Sequence, residues 1–122
     1  MTAVTIEVPG RPIAWARPRS HGSRHFTPRR VLEAEESIAW EARKTRVRFG
    51  VELVAVRIVL WSKTVLRGDV DNYAKTVLDA LEKAGTIEND RQVRQLDVRF
   101  VVGTDTEKTV IGIELLDDAR AA

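Results

Sequence analysis

Asp69 and Asp71 stand two residues apart in RGDVDNYAKTVLDAL, residues 67–81, and Asn72, Lys75 and Asp79 follow at helical spacing. In an extended segment the side chains of residues i and i+2 leave on the same side. A D-x-D pair at a strand end therefore aims two carboxylates at one place. Like charges held that close repel, and a divalent cation between them is the usual resolution. Lys75 lies one helical turn beyond Asp71 on the same face. A lysine there can bind a phosphate at a metal site or stabilise charge on it. A plainer reading competes: Asp71 or Asn72 caps a helix, where an acid is favourable by about 0.3–1 kcal/mol. In that reading Asp71–Lys75 and Lys75–Asp79 are surface i, i+4 pairs worth roughly 0.2–0.5 kcal/mol each.

The continuation IENDRQV changes the balance. Glu88, Asn89 and Asp90 fall in the loop after the helix, and a third carboxylate from a separate element is what a metal site needs and a cap does not. Asp79, two turns down the helix, is read as a partner within the helix rather than a ligand. Asn72 stays divided between cap and support of the carboxylates. The chain has no cysteine and only two histidines, His21 and His25. Thiolate sites, disulfides and cysteine nucleophiles are excluded, and any metal must be held mainly by oxygen, which selects Mg²⁺, Mn²⁺ or Ca²⁺.

Charge is segregated. The formal net charge is +2, yet residues 8–32 contain no acid and six arginines: Arg11, Arg17, Arg19, Arg24, Arg29 and Arg30. The remainder carries 14 basic against 18 acidic side chains. The planar guanidinium fork suits phosphate oxygens in a way lysine does not, so this segment points to nucleic acid, against the alternative of a solvated basic loop. Trp15, Phe26 and Tyr73 are candidates for stacking on bases, with core packing ahead of stacking for Trp15. Trp40 and Trp61 are assigned to the core or a dimer interface.

These residues need a scaffold, and 122 residues make one domain, 1–122, with a modest core. Residues 2–8 alternate as a half-buried strand, and a basic loop follows over about 9–28. A helix starts at Thr27 as N-cap with Pro28 in the first turn and runs to about Val47. Its spaced residues are Leu32, Glu35, Ala39 and Ala42 or Arg43. Residues 51–62 are apolar on both faces, as in a central strand. A helix over 71–84 buries Ala74, Val77, Leu78 and Leu81 and stops at Gly85. Strands follow over 93–102 and 109–115, joined by a hairpin loop at 103–108, and the tail is expected to fray. The expectation is α+β (mixed α/β): about four strands in a small mixed sheet with two main helices, in the order β-α-β-α-β-β. No apolar run approaches a membrane span and the N-terminus is no secretory signal, so a cytoplasmic protein is expected.

Residues 68–93, GDVDNYAKTVLDALEKAGTIENDRQV, together with VPGRPIAWARPR at 8–19 and FTP at 26–28, resemble the RusA family of Holliday junction resolvases. The resemblance spans nearly the whole chain, and its central motif, 69–90, is matched in both spacing and residue type. It implies a homodimeric endodeoxyribonuclease that needs Mg²⁺, with Mn²⁺ able to substitute, and cuts four-way DNA by paired nicks in recombination and repair. It assigns catalysis to Asp69, Asp71, Lys75 and Asp90, the metal to Asp69, Asp71 and Asp90, and DNA phosphates to the six arginines. One departure stands out: Asn89 occupies a position where the family often has aspartate, with Glu88 available beside it. The alternatives are a nuclease of the same fold for other branched DNA, such as flaps or forks, and a DNA-binding module without catalysis.

Overall fold

The structure is a computed structural model and describes residues 3–16, 19–21 and 24–116, with the side chains of 19–21, 24 and 25 outside that description. Arg17 and the 117–122 tail therefore lie outside the described residues, as do the side chains of Arg19 and Arg24. Nine elements follow one another: β1 (Ala3–Pro9), β2 (Arg19–His21), β3 (Arg24–Phe26), α1 (Arg29–Lys44), β4 (Val54–Ser62), α2 (Val70–Ala84), a 3-10 turn (Asp90–Gln92), β5 (Val93–Val102) and β6 (Lys108–Leu115). Four strands form one mixed sheet in the order β1-β6-β4-β5, and β2 and β3 form a separate antiparallel pair. The expected α+β architecture is what the chain builds. Its expected basic loop, however, contains the small β2–β3 hairpin.

The sheet's core face is set by alternation. Ile6 and Val8 of β1, Val54, Val56, Ile58 and Leu60 of β4, and Ile111 and Ile113 of β6 are buried in one cluster with Ile38, Ala39 and Ala42 of α1 and Tyr73, Val77 and Leu81 of α2. Both helices thus cover one face of the sheet, each through an apolar stripe. Leu32, expected in the α1 stripe, is 45% exposed, and the turn is completed by Val31 and Ile38 instead. Pro28, not Thr27, occupies the cap position of α1, with no side-chain hydrogen bond. Trp40 is 61% exposed and is not a core residue.

β4, α2 and β5 form a parallel crossover unit. α2 leaves the C-terminal end of β4, runs back along the sheet, and delivers the chain to the start of β5. Gly85 ends it in the left-handed conformation that glycine adopts without steric cost. The expected hairpin between the last two strands is not formed, because β5 and β6 lie on opposite sides of β4. Residues 103–107 instead cross the end of β4, where the Gly103 and Thr104 amides donate to the Ser62 carbonyl at 2.8 and 3.2 Å.

Candidate active site

The two aspartates sit where β4 hands over to α2. Asp69 is the cap residue of α2, in extended conformation, and its carboxylate makes no capping hydrogen bond. Asp71 is exposed in the first turn. Capping by Asp71 or Asn72 is thereby overturned: Asn72 lies inside the helix, and neither carboxylate has a hydrogen-bond or ion-pair partner among the described residues. The expected placement of the pair at a strand end is not what forms, since β4 stops at Ser62 and Asp71 is already helical; the two unspent carboxylates stand instead at the start of α2, where they offer oxygen donors to a hard divalent cation.

The surroundings hold this corner in place. The amide of Trp15 donates to the Asn72 carbonyl at 2.9 Å, which docks the basic segment on the start of α2. Gly68 is squeezed beneath that contact. A Cβ there would lie 2.6 Å from the Ala14 Cβ and 2.9 Å from a ring carbon of Tyr73, so only glycine fits. The Tyr73 hydroxyl accepts from the Gly68 amide at 3.3 Å. Lys75 is fixed from two sides: its Nζ lies 5.1 Å from the centre of the Trp15 ring and 3.5 Å from the Asp79 carboxylate. Asp79 therefore does what its spacing suggests, and half-buried Trp15 packs against the lysine.

Of the basic side chains, Arg11 is committed. It pairs with Glu107 at 2.7 Å and reaches the Val65 carbonyl at 3.3 Å. Glu107 also accepts from the Lys63 amide at 3.0 Å, and that bond, ahead of Arg11, holds its carboxyl below the ordinary range against a smaller opposing effect of burial. Arg29 pairs with Glu33 at 2.9 Å on the surface. Arg30 and Arg67 have no partner among the described residues and line one groove with Trp15, Gly68 and Asn72. Sequence reasoning passed over Arg67, although it precedes the first aspartate by only two residues.

Asp90 is elsewhere. It opens the 3-10 turn beyond the far end of α2, and its amide donates to Glu82 Oε1 at 2.7 Å. At 1.5 Å per residue the 15 residues of α2 separate the two ends by about 22 Å. Among the described residues no three acids or imidazoles come close enough to hold a metal ion. The turn is nonetheless built with care. Buried Gln92 accepts from the Glu88 and Asn89 amides at 2.7 and 3.0 Å and donates to the Gly50 and Glu52 carbonyls at 2.9 and 2.7 Å. Asn89 Oδ1 accepts from the Arg91 amide at 2.8 Å, so asparagine here closes a capping box with Gln92.

Two comparisons bear on this arrangement. Residues 9–114 match the family described as Endodeoxyribonuclease RusA. The chain belongs to the RusA family. It is also 29% identical over 96 residues, 78% of this chain and 76% of the relative, to the Crossover junction endodeoxyribonuclease RusA of Aquifex aeolicus (strain VF5). The RusA match covers both the β4–α2 corner and the Asp90 turn. No helix among the described residues is long and apolar enough to cross a membrane.

Proposed function

We propose that this RusA-family endodeoxyribonuclease resolves four-way DNA junctions with Mg²⁺, for which Mn²⁺ can substitute, at a site shared between two copies of the chain. The observation that carries this reading is the placement of the acids. Asp69 and Asp71 offer free carboxylates at one end of α2, and Asp90 is presented on a braced turn at the other. A single chain brings too few donors together among its described residues. A second copy that lays its Asp90 turn against the β4–α2 corner of the first supplies the missing carboxylate, and two-fold symmetry makes two such sites. Paired nicks in opposed strands require two equivalent sites.

Asp69 and Asp71 with Asp90 of the second copy would hold the metal, which when bound neutralises phosphate charge and acidifies water. Lys75, braced by Trp15 and Asp79, directs its ammonium to the scissile phosphate. Arg30 and Arg67 take flanking phosphates and fix the orientation of the strand without reading bases. Arg11, already paired, anchors the basic segment that carries this surface.

The test is a synthetic four-way junction beside a matching linear duplex, with and without Mg²⁺. Junction cleavage that needs the metal, with the duplex intact, is expected. Equal cleavage of both would remove junction specificity, and cleavage of neither would favour a binding module. Asp69→Asn is expected to lower cleavage by on the order of a hundredfold or more. Junction binding should persist or tighten, because one repulsive charge near phosphate is gone.

A further inference from the structure

Cations are spent unevenly at the Asp90 end of α2. Arg43, Lys44 and Lys83 are committed there, to Glu36, Glu41 and Glu35. Arg46, Arg48, Arg91 and Arg94 are exposed, and their side chains have no partner among the described residues. None of them belongs to the acid-free segment at 8–32 that the sequence marks for DNA.

Backbone ties place these arginines on one framework. The Phe49 amide donates to the Thr86 carbonyl at 2.9 Å, which binds the α1–β4 connection to the stop of α2. Gln92 joins the same connection to the Asp90 turn through the Gly50 and Glu52 carbonyls. Arg46 and Arg48 stand in the connection, Arg91 in the turn and Arg94 at the start of β5. Arg48 lies against bare Gly85: a Cβ on that glycine would be 3.5 Å from the guanidinium carbon. A cation beside a helix C-terminus is favourable in itself, yet this packing uses none of the guanidinium N–H donors.

The charges at this end favour an anion from outside the chain. Glu82 is occupied by the Asp90 amide, and Glu52, Glu88 and Asp90 form no ion pair with the arginines. An Asp90 carboxylate brought up to a phosphodiester is repelled by it, and free guanidiniums alongside offset that repulsion. The planar fork of arginine can hold two oxygens of one phosphate. We propose that Arg48 and Arg91, flanked by Arg46 and Arg94, form a second phosphate-binding site for the DNA backbone, separate from the Arg30–Arg67 groove. The proposal rests on the shared-site reading above. An Asp90 turn delivered to the corner of another copy brings its Arg91 along, so the strand being cut is held by Arg67 and Lys75 of one chain and Arg91 of the other. Contacts of this kind hold the backbone without reading bases.

The test is the salt dependence of four-way junction binding, measured without Mg²⁺ so that cleavage does not intervene. Each lost phosphate contact lowers the slope of log affinity against log salt by about one. Arg91→Gln alone is expected to remove about one from the slope, and Arg48→Gln with Arg91→Gln about two, with affinity lower on the order of tenfold or more. Arg57, also exposed and unpaired among the described residues, lies on the face of β4 away from the helices. Arg57→Gln is expected to leave the slope unchanged. A double variant with the parent's thermal midpoint and the parent's slope would overturn the proposal. So would a fall of about one in Arg57→Gln, because net charge alone would then account for the effect. If the slopes fall as expected and the parent cleaves no junction, the metal-site reading fails and this phosphate site stands. If cleavage is intact and the slopes do not move, this site alone fails.

Discussion

At the scale of single residues, what the sequence made legible was chemistry that depends on type and spacing. Asp69, Asp71 and Lys75 declare themselves because carboxylates two apart and a lysine one turn on need no knowledge of the fold. Gly68, Gln92 and Glu107 do not, because their roles are contacts with residues far away in the chain. Gly68 is constrained by Ala14 across the groove, and Gln92 by carbonyls about forty residues earlier. Gly68→Ala forces a methyl into that contact. It is expected to cost about 1–3 kcal/mol, lowering the thermal midpoint, and to weaken junction binding by displacing the segment that bears Trp15. Unchanged binding by a folded variant would show that this docking does not position the DNA surface.

At the scale of elements, the helices and strands were legible from periodicity, and their neighbours were not. The turn residues of GTDTEK are compatible with a hairpin, yet the loop crosses the end of β4, because that strand lies between the two it connects. Local turn chemistry cannot distinguish these cases. Gln92 organises the Asp90 turn from its buried position. Gln92→Leu strands two amides and two carbonyls, each costing about 1–3 kcal/mol if it finds no water. Cleavage should fall further than junction binding, measured side by side, since the turn carries the proposed ligand Asp90 and not the arginine surface at Arg30 and Arg67. Glu107 ties the 103–107 crossing to Lys63 and Arg11. Its carboxyl is held below the ordinary value in the folded chain, so its stabilising contribution is fully present above the ordinary carboxylate range and is lost as pH falls through and below it. Thermal midpoints followed down through that range should therefore drop more in the parent than in Glu107→Gln. Equal drops would mean that Glu107 contributes nothing to acid sensitivity.

For the whole molecule, family membership and the mixed sheet agree with what the sequence suggested, and the separation of the candidate acids by the length of α2 was not foreseeable. The motif reads as continuous in sequence from Asp69 to Asp90, but a helix of about 22 Å stands between its ends. Sequence proximity brought the acids together on paper; the crossover unit separates them. Under the shared-site proposal a second copy brings them back together. The shared site is tested most directly by mixing Asp69→Asn protein with Asp90→Asn protein, allowing subunits to exchange, and assaying junction cleavage. Each variant alone is expected to be inactive, but a mixed dimer retains one site with Asp69 from one chain and Asp90 from the other. Equal mixing should therefore restore about a quarter of the wild-type sites, seen as metal-dependent nicking. A mixture that exchanges subunits and stays inactive would contradict the shared site.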